Sequence, residues 1–413
     1  YEAFQISLYA AHPELKAQRG QMSPITIQEA GRLIPNATTA ILQYVVTEDK
    51  TYLFALTKAQ QPHVNSRPPA DSAVLNVYAI NIKQKELADR VGRFHGRLSQ
   101  KDIDFPTYSR ELYDLLLGPA RADLKNKTNL IIVPDSTLWQ VPFQALQPSA
   151  NRFLIQDYTV SYAPSLTVLS EMMNLKQKRQ PTSAALSTLV AFGNPDVGPT
   201  TAASLQTAYP EVLADEKLLP LPQTEAMVNT LSRLYGPGRS KVYVRAEARE
   251  GTAKKEAGTC RILQFATHGI LDNTNPMYSR LVMSQSGAGE HEDGMLEAWE
   301  VMKLNLNAEL VILSACDTAR GRVAGGEGMI GLAWAFFVAG CPTTVVSQWP
   351  IEVNSTAELM VEFHKNLRPG IEGRSPDVSK AEALRAAMLK LMKNPRHRHP
   401  FYWAPFVVIG DAR

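Results

Sequence analysis

Residues 260–269 have the sequence CRILQFATHG, and residues 310–318 have the sequence LVILSACDT. Both contain a run of apolar residues that predicts a strand, over 262–266 in the first segment and 310–314 in the second. Apart from Gln264 and Ser314 the runs are apolar throughout rather than alternating, as expected when helices cover both faces of a parallel sheet. These two segments therefore predict an α/β fold.

The flanking sequence alternates between strand and helix patterns. Short apolar runs at 189–193, 241–244, 344–347 and 406–409 alternate with helical periods at 223–234, 329–338, 355–367 and 379–392. This alternation predicts parallel strands joined by right-handed crossovers. Residues 185–413 are therefore expected to form one α/β unit.

Two further units are predicted on the N-terminal side. Residues 83–184 place helical periods on either side of the apolar run NLIIV at Asn129–Val133, which predicts a second α/β half. Residues 1–82 combine a helical tail with β-rich runs at 40–48, 51–57 and 72–82, the first two forming a hairpin. Boundaries are expected near residues 82 and 184, the latter in a basic linker that contains a proline.

Composition excludes several classes of protein. The chain has 413 residues, 45% of them hydrophobic, and a formal charge of +3, which indicates full-sized cores and no nucleic-acid footprint from charge alone. Three cysteines are too few for a disulfide framework, which favours a reducing compartment, the cytoplasm. No apolar run reaches the roughly 20 residues of a membrane span, and no signal peptide is visible. Because the chain starts at Tyr1, we expect it to begin inside a longer protein.

Two reactive side chains follow the strand pair that decides the fold. His268 follows the first strand and Cys316 the second, and the carboxyl ends of parallel strands are where catalytic groups gather. A thiolate can attack a carbonyl while an imidazole transfers protons. The alternatives are a small buried cysteine and a hydrogen-bonded structural histidine. Gly269 could offer its N–H to an oxyanion, or it could only form a tight turn.

A glycine-rich segment, DTARGRVAGGEGMIG at Asp317–Gly331, follows Cys316. A phosphate-binding loop would end in Gly-Lys-Ser/Thr, whereas this segment has Gly328-Met329-Ile330, so a nucleotide site is disfavoured. A loop that becomes ordered around an extended ligand fits the glycines better.

Several motifs resemble the CHAT domain, a caspase- and separase-like cysteine peptidase module that usually follows tetratricopeptide repeats. They are ATHG (Ala266–Gly269), LSACDTARG (Leu313–Gly321), VVSQWPI (Val345–Ile351), FYWAPFVVIGD (Phe401–Asp411), VAFGNPD (Val190–Asp196) and LPLPQTEAMVNTL (Leu219–Leu231). The resemblance extends over about residues 35–413. It implies a caspase-like, parallel-rich sheet sandwiched by helices, in two connected halves behind a small β-rich lead-in.

The resemblance also implies a mechanism. Cys316 would be the nucleophile and His268 the general acid and base, with the backbone N–H groups of Cys316 and Gly269 holding the oxyanion. No metal or cofactor is implied. Asp317 would be the acidic residue that often follows the nucleophile, although a helix-capping role is an alternative.

Relatives that cut after a basic residue need a carboxylate in the specificity pocket. Family members often have several acidic residues after the Trp-Pro pair, whereas this chain has only Glu352, followed by Val353 and Asn354. Glu352 is therefore the pocket candidate, with a solvated glutamate at a helix start as the alternative. Trp349 could form a pocket wall or simply lie in the core.

The function expected from these residues is cleavage of a specific protein partner by a Cys-His endopeptidase. An upstream repeat region or a partner would keep the enzyme inactive until triggered, and neither nucleic acid nor membrane is expected to bind. The main alternative is a catalytically silent CHAT-like scaffold, and a small-molecule amidase or acyl transferase is another. Cys260 and Cys341 are expected to be structural, and His364 is expected on the surface of an amphipathic helix.

Overall fold

The computed structural model describes residues 25–58, 73–178, 187–198, 207, 218–270, 276–285, 292–314, 331–371 and 378–413. The strands are β1 (Thr39–Val46), β2 (Thr51–Lys58), β3 (Ala73–Ile80), β4 (Asn129–Val133), β5 (Thr159–Tyr162), β6 (Ser187–Gly193), β7 (Ser240–Val244), β8 (Cys260–Ala266), β9 (His268–Ile270), β10 (Arg280–Val282), β11 (Met295–Glu297), β12 (Leu310–Leu313), β13 (Thr343–Ser347) and β14 (Phe406–Gly410).

The described helices flank these strands. They are α1 (Ile27–Leu33), α2 (Gln84–Ser99), α3 (Phe105–Leu116), α4 (Leu154–Asp157), α5 (Leu166–Lys178), α6 (Pro222–Tyr235), α7 (Glu250–Glu256), α8 (Ala298–Val301), α9 (Leu332–Val338), α10 (Val353–Ile371), α11 (Lys380–Leu391) and α12 (Pro400–Trp403). Helix α11 begins with a capping box, because the Ser379 side chain accepts the N–H of Glu382 and the Glu382 carboxylate accepts the N–H of Ser379. No described helix is long and apolar enough to cross a membrane.

Eleven strands form one sheet in the order β3-β2-β1-β4-β5-β14-β13-β12-β8-β6-β7. Most neighbours are parallel, and the antiparallel pairs are β1 with β2, β2 with β3, and β13 with β14. The expected α/β class, with a parallel-rich sheet between helices, is confirmed. The predicted hairpin is also present as β1 and β2, and the third β-rich run forms β3 beside it.

Strand β14 lies between the N-terminal and C-terminal strands of the sheet. It pairs with β5 on one side and with β13 on the other. Its last residue, Gly410, has a φ of 103°, and a Cβ atom at that position would lie 2.2 Å from the Pro342 carbonyl oxygen. Only glycine fits this close approach of two backbones. The division of the chain near residues 82 and 184 stays a prediction.

The core of the C-terminal half is built from aromatic side chains on one face of the sheet. The rings of Phe192 and Phe265 stack with centroids 5.3 Å apart, and Phe265 contacts Phe336 of α9 at 5.8 Å. All three are fully buried, as expected for strands covered on both faces. This packing fixes β8, the strand that leads to His268.

A second, three-stranded sheet has the order β11-β10-β9, and both of its pairings are antiparallel. Its strands are three residues long, which is too short for the alternation that identifies a strand in sequence. Strand β9 follows β8 after Thr267 alone. The small sheet therefore positions the backbone of His268.

Candidate active site

The strands that lead to the two predicted catalytic residues are neighbours. Strand β12 pairs with β8 in parallel, with Leu313 opposite Phe265, and the Ser314 N–H donates to the Phe265 carbonyl at 2.8 Å. Both strands therefore end at the same edge of the sheet. Cys316 and Asp317 lie outside the described residues; the described part of this strand end closes at Ser314, two residues before Cys316 in the sequence.

His268 is held by its backbone and by its ring. Its backbone pairs with Val282 of β10, and its Nε2 lies 2.8 Å from the Leu219 carbonyl oxygen. Because a carbonyl oxygen only accepts, Nε2 must hold the proton in this hydrogen bond. In the neutral ring Nδ1 is then the unprotonated, basic nitrogen. The hydrogen-bond partner of Nε2 selects this tautomer.

The loop that contains Leu219 is itself fixed by Asn194, directly after β6. The Asn194 Oδ1 accepts the N–H of Leu221 at 2.6 Å, and its Nδ2 donates to Glu225 at 2.8 Å. Arg245 also donates to the Glu225 carboxylate, and the hydrogen bonds from Arg245 and Asn194 lower the pKa of Glu225. Asn194 thereby positions the carbonyl that orients the ring of His268.

The direction of the Gly269 N–H follows from the pairing of the small sheet. The N–H of Met283 donates to Gly294, and the N–H of Ala298 donates to Ser279, so residues 279, 281 and 283 direct their backbone groups towards β11. Residues 280 and 282 must then bond with β9, where their partners are Ile270 and His268. The backbone groups of Gly269 consequently point to the side of β9 that faces away from β10. An N–H in this direction can serve as an oxyanion donor.

Trp349 lies two residues after the end of β13, the strand next to β12, and is fully buried. Its Nε1–H donates to the Phe401 carbonyl at 3.2 Å, and its ring makes an edge contact with His95 of α2. These contacts are those of a core tryptophan. A role as a pocket wall stays a prediction.

Glu352 lies just before α10 and binds the start of this helix. Its carboxylate accepts the N–H of Ser355 at 2.6 Å and the N–H of Asn354 at 3.1 Å. Burial opposes ionisation, but these hydrogen bonds outweigh it and lower the pKa of Glu352. The carboxylate is ionised and directed at a helix N-terminus, so its role in a specificity pocket also stays a prediction.

Two further cysteines and one further histidine within the described residues have structural surroundings. Cys260 and Cys341 are buried and form no disulfide with a described residue, and burial raises the pKa of Cys260 to about 12, which makes its thiol unreactive. The expectation that His364 lies on the surface is wrong: it is fully buried between Tyr235 and Gln264. Helix α10 packs against both α6 and α11, so its polar positions do not all face water.

Among the described residues, one group of carboxylates has the spacing of a metal site. Oxygens of Glu250, Glu292 and Glu300 lie within 4.8 Å of one another. The Lys254 ammonium lies among them, 2.7 Å from Glu250, 2.6 Å from Glu292 and 2.7 Å from Glu300. Lys254 supplies the positive charge that a metal would bring. These four residues, the Lys254 cluster, also anchor the small sheet, because Glu250 accepts the N–H groups of Gly294 and Met295.

Reasoning from sequence assigns no role to Leu219, Asn194 or the Lys254 cluster. Leu219 acts through its carbonyl, which leaves no signal in the identity of a side chain. Asn194 lies in the motif VAFGNPD. Its distinguishing feature is a φ of 45°, in the left-handed region that asparagine adopts more readily than most residues. The cluster unites α7, residue 292 and α8, whose proximity depends on the undetected small sheet.

Comparison with known proteins places the chain among relatives that are much longer. Tetratricopeptide repeat protein 28 of Mus musculus is 25% identical over 343 residues, covering 73% of this chain and 13% of that protein, and the Homo sapiens protein of the same name is 26% identical with the same coverage. The chain thus spans only a small part of the curated relatives it matches.

A solved structure has the same fold. The Saccharomyces cerevisiae separase–securin complex at 3.0 Å resolution matches with a TM-score of 0.55 and 9% identity, over 93% of this chain and 30% of that chain. At this identity the similarity shows the fold alone, which is α/β and caspase-like. The CHAT domain model matches residues 106–411. Together with the fold, this match shows that the chain belongs to the CHAT domain family.

Proposed function

We propose that this protein is a cysteine endopeptidase in which Cys316 is the nucleophile and His268 the general acid and base. The observation that supports this best is the fixed ring of His268. Its Nε2–H is bound to Leu219, so Nδ1 is the proton-transferring nitrogen. The ring lies on the segment after β8, and Cys316 follows the neighbouring strand β12.

The reaction has two steps. In the first, the Cys316 thiolate forms a C–S bond to the peptide carbonyl, the C–N bond breaks, and protonated His268 gives its proton to the leaving amine. In the second, His268 takes a proton from water as the hydroxide attacks the thioester. The C–S bond then breaks to give a carboxylic acid and the Cys316 thiolate. The acid loses its proton to solvent and leaves as the carboxylate, and the proton on His268 is ready for the next cycle.

Each step passes through an oxyanion. The N–H of Gly269 points away from β10 and is one proposed donor, and the N–H of Cys316 is the other. A single donor of this kind typically contributes about 10²–10³ in kcat. The substrate would be a protein with an extended segment. A basic residue before the cut bond is our preferred specificity, with Glu352, Asp317 and Trp349 as the candidate pocket residues.

We also propose that an upstream repeat region or a partner protein controls the activity. Support comes from the relatives, which are named for tetratricopeptide repeats and of which this chain matches 13%. An endopeptidase without such control would damage other proteins. The regulatory part would therefore lie in the sequence that accompanies this domain.

The test uses fluorogenic peptides with Arg or Lys before the reporter, and a peptidyl ketone ending in Arg that alkylates an active thiol. We expect cleavage and labelling to be lost in Cys316→Ala and to fall at least about 10³-fold in His268→Ala. Cys260→Ala is the matched control, because its thiol is buried, and it should keep the parent rate. Cleavage by Cys316→Ala at the parent rate would refute the proposal. Absence of both cleavage and labelling in the parent protein would favour the silent scaffold.

A further inference from the structure

A chain of four buried polar side chains crosses the core and ends at Ser314, two residues before the predicted nucleophile in the sequence. Tyr235 Oη lies 3.0 Å from His364 Nδ1, and His364 Nε2 lies 3.2 Å from Gln264 Oε1. Gln264 Nε2 then lies 2.7 Å from Ser314 Oγ. None of the four is more than 4% exposed. We call these residues the Gln264 network.

The direction of every hydrogen bond in the network follows from one carbonyl. The Gln264 amide nitrogen also donates to the Phe265 carbonyl at 3.3 Å, and a carbonyl can only accept, so the amide orientation is fixed. Gln264 Oε1 therefore faces His364 and receives the proton on its Nε2. Burial lowers the pKa of His364 to about 3, so the ring is neutral and Nδ1 accepts the Tyr235 hydroxyl.

Burying these four polar side chains costs free energy that a purely apolar core would not require. Gln264 occupies the middle of a strand whose other inward residues are apolar, and hydrocarbon side chains of similar volume would fill the space without polar groups to satisfy. Buried polar networks in which every member has a partner fix one geometry, because any displacement leaves a donor or acceptor unpaired. The network joins α6, α10 and β8 to the residue at the end of β12.

We propose that the Gln264 network is a positioning device for the proposed peptidase site: it fixes Ser314 against β8 and thereby holds the strand end from which Cys316 follows. The proposal rests on the proposed function for its catalytic consequence. The effect of the network on the reactivity of the Cys316 thiol can be measured without peptide cleavage. Gln264, His364 and Ser314 are thus positioning residues rather than catalytic residues.

The test compares Gln264→Leu, Ser314→Ala, His364→Leu and His364→Gln in the full chain. The readouts are kcat and KM for peptide cleavage and the rate at which iodoacetamide alkylates Cys316, followed by peptide mass. Displacement of a catalytic group by about 1 Å costs up to about 10²-fold, so Gln264→Leu and His364→Leu should lower kcat and change the alkylation rate at least tenfold, with little change in KM. His364→Gln keeps an N–H near Gln264 and should restore both to within about threefold.

The matched control is Gln144→Leu. Gln144 is also buried, accepts the Tyr162 hydroxyl at 2.8 Å and donates to the Ala404 carbonyl at 2.7 Å, but it lies in the N-terminal half. It should lower stability as Gln264→Leu does while leaving the Cys316 alkylation rate within twofold of the parent.

Two results would overturn the proposal. One is a folded Gln264→Leu or Ser314→Ala protein whose Cys316 is alkylated at the parent rate. The other is a change in the Cys316 alkylation rate that is as large in Gln144→Leu as in Gln264→Leu. Ser314→Ala only removes a hydroxyl, so it decides the matter if the leucine variants do not fold. If the parent protein neither cleaves the peptides nor is labelled by the peptidyl ketone, the proposed function fails by itself, and the alkylation rates still decide whether the network positions the thiol.

Discussion

Replacement of Lys254 by methionine should destabilise the protein at neutral pH far more than an ordinary surface change. In the parent protein its ammonium contacts three carboxylates at 2.6–2.7 Å, and one of them, Glu250, is only 1% exposed at its side chain. Methionine fills a similar volume but leaves these carboxylates facing one another without a cation. The removal of one partner from a buried ion pair costs about 3–5 kcal/mol, and the partial exposure of Lys254 favours the lower end, about 3 kcal/mol.

The loss should depend on pH in a direction that the contacts determine. In the parent protein burial raises the pKa of Glu250 to about 7, while Lys254 opposes that rise. Without Lys254 the pKa of Glu250 must lie higher still, so acid protonates the cluster readily and relieves the repulsion. The deficit in unfolding free energy should therefore be largest near pH 8 and should shrink towards pH 5.

Urea unfolding followed by tryptophan fluorescence at pH 5 and pH 8 measures this difference. Lys241→Met is the control, because Lys241 pairs with Glu256 at the surface at 2.8 Å and should lose less than about 1 kcal/mol at either pH. A Lys254→Met protein with the parent midpoint at pH 8 would refute the reasoning. So would a deficit that is equal at the two pH values, since the charges would then not be its cause.

Three further changes have defined outcomes. Gly410→Ala should lower the urea midpoint by the equivalent of about 3 kcal/mol or more, because Gly410 has a φ of 103° and a Cβ atom there would lie 2.2 Å from a carbonyl oxygen. Gly236→Ala should cost about 1 kcal/mol, because Gly236 has a φ of 89° but a Cβ atom there would lie in open space. Asn194→Ala releases the loop that orients His268 and should lower kcat about tenfold or more, and a kcat at the parent value would contradict this. Glu250→Gln removes a group whose folded pKa is raised, so its contribution to stability is complete below about pH 4.5 and is lost through about pH 7. The parent protein should accordingly lose stability relative to Glu250→Gln between pH 5 and pH 8, which urea midpoints will show.

The strands of the large sheet could be predicted because their signal is local. Strand β4 lies at the predicted residues, and β8, β12 and β13 lie within two residues of their predicted bounds. In β4 and β12 the signal is a continuous apolar run, a pattern that depends on burial of both faces. The register that places Leu313 opposite Phe265 could not be derived, because pairing depends on the distant packing of whole strands.

The parts that sequence could not predict depend on contacts between distant segments. The amphipathic pattern of its helix predicts His364 at the surface, yet its partners Tyr235 and Gln264 come from another helix and a strand. A histidine with two buried partners has the same sequence pattern as one in water. Glu352 likewise matches a pocket carboxylate in sequence, and only the N–H groups of α10 reveal what it binds.

The two supports of the proposed site are separable in experiment. The Lys254 cluster holds β11 through Glu250, and β10 connects β11 to His268, whereas the Gln264 network holds Ser314 and the end of β12. If they act independently, the unfolding free-energy losses of Lys254→Met and Gln264→Leu should add to within about 0.5 kcal/mol in the double variant.

The effects of these two variants on the two proposed catalytic groups should differ in kind. Lys254→Met should shift the pH dependence of cleavage through His268 and leave Cys316 alkylation nearly unchanged, whereas Gln264→Leu should change the alkylation rate at every pH. Identical effects of the two variants on alkylation would mean that the sheet edge responds as one unit, and the assignment of one support to each residue would then be wrong.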